Sequence, residues 1–206
     1  MKLIKTNEND IRTEAEKKRM IKNAEKHYGK FLTSLGYDWE NDPNMQATPF
    51  RVAKMYVREI WNGSFVDEPR ITVFDNVDNY DGMVFQGNIQ VHSTCSHHAL
   101  PFIGVAHVAY IPGDKIVGLS KLNRIVEHYA RKPQVQENLT QQIHDHINRV
   151  CVGNTGVAVM LEATHTCVKL RGIKQDSMMK TAKLSGGFED EMQIRQEFYN
   201  FIKGLK

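Results

Sequence analysis

Two clusters of zinc-type ligands, Cys95-Ser96-His97-His98 and His165-Thr166-Cys167, constrain this chain more than any other feature. Thiolate and imidazole are the donors zinc favours, and a structural site normally uses four of them. Here the convincing set is two cysteines and one or two histidines, with histidines to spare. To share one ion, two segments far apart in sequence must meet in the fold. Cys95 and His98 have the Cys-x-x-His spacing that a turn can wrap around an ion. His165 and Cys167 lie two apart at the end of a β-rich run, which predicts side chains on one face. Cys95, His98 and Cys167 as ligands leave a fourth position for water, the arrangement of a working site. His97 and His165 then stand beside the metal, placed to move protons near neutral pH. A closed structural site that recruits His97 or His165 is the alternative. Cys151, beside Val150 at the apolar end of a helix, reads as a small buried hydrophobe. The isolated His27, His92, His107, His128, His144 and His146 read as structural or surface residues.

Composition narrows the class. Of 206 residues 41% are hydrophobic and 25% charged, ordinary globular values that argue against a disordered or fibrous chain. That length suits one domain with a helical extension, placed here at residues 1–62, with a catalytic core over 63–206. The N-terminus has no apolar run of signal-peptide length, and no segment approaches the roughly 20 apolar residues of a membrane span. Three cysteines without framework spacing do not make a disulfide scaffold. The expectation is a soluble cytoplasmic protein with reduced thiols and no membrane partner. A net charge of +3, with Lys and Arg interleaved among Asp and Glu, does not form the basic stripe of a nucleic-acid binder.

Periodicity predicts a helix from about Ile11 to Leu35, ended by Gly36. A second helix is expected with Thr48 as N-cap and Pro49 at the first helical position, running to about Asn62-Gly63. From Ile71 the pattern turns β-rich: Ile71–Phe74, Met83–Val91 and Phe102–Ile111. Leu122, Ile125, Val126 and Tyr129 then mark an amphipathic helix, and Val135 to Val150 another. A strand from Val157 is expected to run through His165 and Cys167. A further β-like run over Thr181–Phe188 and a terminal helix over Met192–Ile202 complete the chain. Strands grouped rather than strictly alternating with helices give an α+β class, with an antiparallel sheet.

Two more features carry chemistry. In Gly118-Leu119-Ser120-Lys121-Leu122-Asn123-Arg124, Ser120 reads as an N-cap with Lys121 and Arg124 on one flank. A helix start with two cations suits a polyphosphate, and a solvated helix face reads equally well. Arg171 has the strand parity of His165 and Cys167 and is expected on their side. In Gln134-Val135-Gln136-Glu137, an amide and a carboxylate can pair with a nucleobase, while a helix-start Glu is equally natural.

Together these residues resemble the GTP cyclohydrolase I family. The segments that carry the resemblance, in family order, are Thr48–Met55, Ser93–His98, Gly118–Val126, Arg131–Thr140 and Ala163–Gly172. The resemblance implies a tunnelling fold, an antiparallel sheet with helices packed on one face. It implies that Cys95, His98 and Cys167 bind zinc and that His97, His165 and Ser120 are catalytic. It further implies that Gln136 and Glu137 hold guanine, that Lys121, Arg124 and Arg171 meet the ribose-triphosphate beside Ser120, and that Arg51 arrives from a neighbouring subunit. The implied reaction converts GTP to 7,8-dihydroneopterin triphosphate and formate, in a decamer of two stacked pentamers with sites at subunit junctions. The family commonly has Glu where this chain has Ser96, a change beside the ligands rather than of one. A reductase of 7-cyano-7-deazaguanine on the same architecture and a non-catalytic zinc-stapled nucleotide-binding module are the competing functions. The His-x-Glu and Pro-Cys-x-x-Cys signature of zinc deaminases is absent.

Overall fold

The computed structural model describes residues 2–205, and the chain divides into two compact units, one ending at Asp67 and one beginning at Glu68. In the first, α1 (Glu14–Ser34) starts on a capping box. Thr13 Oγ1 accepts from the Glu16 N–H at 3.2 Å, and the Thr13 N–H donates to Glu16 Oε2 at 2.8 Å. Gly36, at φ +86°, ends the helix in the left-handed conformation that glycine tolerates. Helix α2 (Thr48–Met55) has Ala47 at its N-cap, so Thr48 is the first helical residue and makes no side-chain cap, one position away from the sequence expectation. The helix continues into a π-helical turn over Tyr56–Ile60 and a 3-10 turn over Asn62–Ser64. Ile21, Ala53 and Val57 form this unit's core, against Met20.

The second unit is built on a five-stranded sheet in the order β5-β2-β3-β6-β7. Its strands are β2 (Val84–Cys95), β3 (Pro101–Ile111), β5 (Pro133–Gln134), β6 (Gly156–His165) and β7 (Met178–Gly186). All neighbours are antiparallel except β5, which pairs in parallel with the last two residues of β2. A two-stranded ribbon joins β1 (Val73–Asp75) to β4 (Lys115–Val117). The class is α+β, as the sequence predicts.

Period-two alternation divides the sheet's side chains between two cores. Val108, Tyr110, Val157, Val159 and Leu161 meet Leu122, Ile125 and Val126 of α3 (Leu119–Ala130) and Leu139, Ile143 and Ile147 of α4 (Gln136–Val150). On the opposite face, Ala109, Ala158 and Met160 pack with Phe188 and with Phe198 and Ile202 of the terminal helix. Two short helical turns, α5 (Thr166–Lys169) and α6 (Gly187–Asp190), follow β6 and β7, and the terminal helix is α7 (Met192–Lys203). The run expected to stay extended through Phe188 instead turns at Gly186, whose φ of +55° starts α6. Among the described residues, no helix is long and apolar enough to cross a membrane.

Candidate active site

The two Cys/His clusters meet at one end of the sheet because β2 ends where β6 ends. Thr94 pairs with Pro101 across β2 and β3, and Phe102 pairs with His165 across β3 and β6. Between β2 and β3 the chain folds tightly: the Cys95 N–H donates to the Leu100 carbonyl, and the Ala99 N–H to the Cys95 carbonyl, both at 2.8 Å. Ala99 takes a φ of +53° to close this turn, and the Ser96 N–H is held by the Gln134 carbonyl at 2.9 Å. The turn therefore presents Cys95, His97 and His98 on a short, backbone-bonded loop.

The donor atoms of Cys95, His98 and Cys167 all lie within 4.8 Å of one another. Cys95 is buried, Cys167 half-buried and His98 exposed, so the group opens to solvent on one side. Burial first, and then the adjoining Cys95 sulfur, push the Cys167 thiol above its usual range. A thiol that resists ionisation beside a second sulfur and a third converging donor is what a soft divalent cation stabilises. The donor set therefore fits zinc. His97 Nδ1 lies 3.6 Å from Cys95 Sγ and His98 Nδ1 3.9 Å from it. Among the described residues, neither His97 nor His165 falls within the three-donor group.

His165, the last residue of β6, stacks on Phe102 with ring centroids 4.5 Å apart and planes 12° from parallel. Its Nε2 meets Gln136 Oε1 at 2.8 Å. Burial lowers the His165 pKa, and the Glu137 carboxylate opposes that shift. Cys167 does not share a strand face with His165 as the parity argument expects, because β6 stops at His165 and Cys167 sits in α5. The same break removes the parity argument for Arg171, which is exposed in the turn beyond α5. Its charge nevertheless favours the Cys167 thiolate, which places it near the cluster.

Gln136 and Glu137 open α4. Glu137 is exposed, whereas Gln136 is 1% exposed and faces inward. Ser120, Lys121 and Arg124 open α3, but the helix is capped at Gly118, so Ser120 lies inside the first turn rather than at the N-cap. These three residues stand at the other end of the sheet from the cysteines. Gln86 Nε2 donates to Asn123 Oδ1 at 2.9 Å, which ties the start of α3 to the start of β2, while Cys95 closes β2. Strand between Gln86 and Cys95 spans about 30 Å at the usual rise per residue. Within one chain the basic helix start and the Cys/His cluster are therefore separate. Arg51 is exposed on α2, in the first unit.

The family model for GTP cyclohydrolase I matches residues 24–203. The chain belongs to that family. Curated relatives named GTP cyclohydrolase 1 align over nearly the whole length. That of Flavobacterium johnsoniae is 45% identical over 185 residues, covering 89% of this chain and 82% of the relative. That of Aeromonas salmonicida is 43% identical, covering 87% and 83%, and that of Aliivibrio fischeri strain MJ11 is 43% identical, covering 95% and 88%.

Phe102, Gln134, Thr140 and Thr181 also shape the site: Phe102 stacks on His165, the Gln134 carbonyl holds the Ser96 N–H, and Thr140 and Thr181 hydrogen-bond to Gln136. Phe102 and Thr181 sit in ordinary apolar or alternating runs that carry no chemical signal. Gln134 and Thr140 lie within Arg131–Thr140, one of the segments that carry the family resemblance.

Proposed function

We propose that this chain is a zinc-dependent GTP cyclohydrolase I that converts GTP to 7,8-dihydroneopterin triphosphate and formate. The observation that carries the reading is the convergence of Cys95, His98 and Cys167 within 4.8 Å, beside a histidine outside the donor set. Zinc held by these three residues supplies a Lewis acid that makes hydroxide available near neutral pH.

His165 serves as the acid that protonates the imidazole ring of guanine, so that carbon 8 becomes electrophilic. Its lowered pKa suits delivery of a proton rather than permanent charge. His97, exposed on the loop beside Cys95, assists the proton transfers of ring opening and deformylation. Glu137 is exposed at the start of α4, where its carboxylate can accept from the amidine edge of guanine. Gln136 lies immediately behind it. Arg171 meets the phosphate-bearing part of the substrate from the same chain. Ser120, Lys121 and Arg124 supply the polyphosphate-binding helix start, with Ser120 assisting the ribose rearrangement.

Separation of α3's start from the cysteines supports assembly. A substrate touching both sets must lie between two chains, one giving Cys95, His98, Cys167 and His165, the other Ser120, Lys121 and Arg124. Arg51 then arrives from a further subunit, in a homodecamer of two stacked pentamers. The family match spans both compact units, which supports a single functional domain over residues 1–206, with 1–62 as helical extension and 63–206 as catalytic core. We place this activity in the cytoplasm, where the thiols stay reduced. Incubating zinc-loaded protein with GTP is expected to yield a pterin absorbance and one formate per GTP; GTP recovered intact would refute the reading.

A further inference from the structure

We infer that Gln136 is a positioning residue that fixes the proton of His165 on Nε2 and so leaves Nδ1 as the nitrogen that exchanges protons. This rests on the proposed role of His165 and changes the role of Gln136, which does not read the base. The argument is one of hydrogen counting. Gln136 Nε2 faces the Met179 carbonyl at 3.1 Å, the Leu161 carbonyl at 3.4 Å and Thr181 Oγ1 at 3.2 Å. Carbonyl oxygens only accept, so the amide nitrogen must point at them. The opposite orientation would set Gln136 Oε1 against two carbonyls in a buried site, with no hydrogen between them. Gln136 Oε1 is therefore the atom facing His165 Nε2 at 2.8 Å, and only a protonated Nε2 can donate to it.

The surrounding hydroxyls close the chain in one direction. Thr140 Oγ1 donates to the Gln136 carbonyl at 2.9 Å, which uses its single hydrogen. Thr181 must then be the donor across the 2.6 Å contact to Thr140. That leaves Thr181 Oγ1 as an acceptor for the Gln136 amide. Thr140 and Gln136 are 2% and 1% exposed, so water does not substitute for these partners. Phe102, fully buried, holds the imidazole plane from one side. With its side-chain oxygen on His165 and its nitrogen on β6 and β7, Gln136 has no hydrogen-bonding edge to offer a nucleobase. The ring of His165 is thus oriented by one wall of the site, which leaves Nδ1 as the nitrogen that takes up and delivers a proton.

Neutron diffraction from crystals of the perdeuterated, zinc-loaded protein at neutral pH tests this without reference to turnover. Deuterium is expected on His165 Nε2, along the line to Gln136. An Nε2 without deuterium would overturn the inference, whether or not the protein consumes GTP. Absence of pterin formation with Nε2 occupied would instead count against the functional reading alone. Kinetics give a second arm: Gln136→Leu is expected to lower kcat about 10- to 100-fold with zinc content retained and KM for GTP within about twofold. Thr181→Val, a gentler change at the outer end of the chain of hydroxyls, is expected to lower kcat a few-fold in the same pattern. A base-reading Gln136 predicts the reverse, a rise in KM exceeding the fall in kcat, and Thr181→Val without effect. That pattern would sink the proposal.

Discussion

Burial and the neighbouring Cys95 sulfur hold the Cys167 thiol in its protonated form, and a divalent cation is what reverses that preference. Cys167→Ser removes one of three donors and leaves a hydroxyl that zinc binds poorly. The expected outcome is loss of nearly all bound zinc by elemental analysis and loss of formate release. The sheet should persist, because Cys167 lies in a half-buried turn beyond β6 rather than in the core. Retained zinc at one per chain with full activity would contradict the ligand assignment. Histidine chemistry away from the site makes a different prediction. His128, on α3, is buried, its Nε2 has no hydrogen-bond partner among the described residues, and burial, with Lys132 nearby, lowers its pKa to about 4. Unfolded, the same side chain titrates near its ordinary 6.5. The unfolded chain therefore binds this proton first as pH falls, so stability is complete above about 6.5 and declines toward about 4, beyond which the loss levels off. Allowing for solvent screening, the loss is on the order of 2 kcal/mol. His128→Phe should flatten this part of the acid limb in urea unfolding followed by far-UV circular dichroism. An unchanged slope between pH 4 and 6.5 would assign the acid sensitivity elsewhere.

Strand β3 leaves no room for a side chain at Gly104, where it pairs with Ala163 of β6. A Cβ added at Gly104 would fall 1.8 Å from the Glu162 carbonyl and 2.6 Å from the Ala163 Cα, both backbone atoms that cannot move aside cheaply. Gly104→Ala is therefore expected to part these strands locally and to cost about 3 kcal/mol or more. It should also weaken zinc binding, since the Phe102–His165 pair lies in the same ladder. A thermal transition within a degree or two of wild type would show that the ladder shifts register instead. Elements of this kind differ in how far they could be read from residues. Apolar spacing at Leu122, Ile125 and Val126, and at Leu139, Ile143 and Ile147, located α3 and α4, because one helix face must enter the core. Their starts were harder. Ser120 and Thr48 are strong cap formers by type, yet Gly118 and Ala47 occupy the caps, since cap position depends on where the preceding chain leaves the sheet or loop. The convergence of Cys95, His98 and Cys167 was legible from spacing. That Cys167 reaches the cluster from a helical turn was not, because nothing in Thr166-Cys167-Val168-Lys169 opposes continued extension. The inward turn of Gln136 was equally hidden, as it depends on the Met179 and Leu161 carbonyls presented by strands distant in sequence.

For the whole molecule, the decisive fact is that one chain holds the two halves of the proposed site at opposite ends of its sheet. Cys95 and His165 end their strands at one edge, while Gln86 ties Asn123, and with it Lys121 and Arg124, to the other. The intervening strand covers about 30 Å at the usual rise per residue, which keeps the two halves apart within one chain. On the proposed reading each active site draws these two halves from different chains, and two differently damaged chains can repair one another. Cys95→Ser alone and Lys121→Ala/Arg124→Ala alone should each be nearly inactive as homo-oligomers. Co-expressed with separable tags and purified for both, the mixed oligomer should regain activity, because some junctions pair an intact cysteine cluster with an intact helix start. Random pairing at equal expression makes about one junction in four intact, so recovery near a quarter of the wild-type rate is the expected level. Mixed oligomers that form yet stay as inactive as either parent would place both halves of the site in one chain. Dilution separates the two cases further: activity shared between chains should fall with protein concentration once the oligomer dissociates, whereas activity contained in one chain should not.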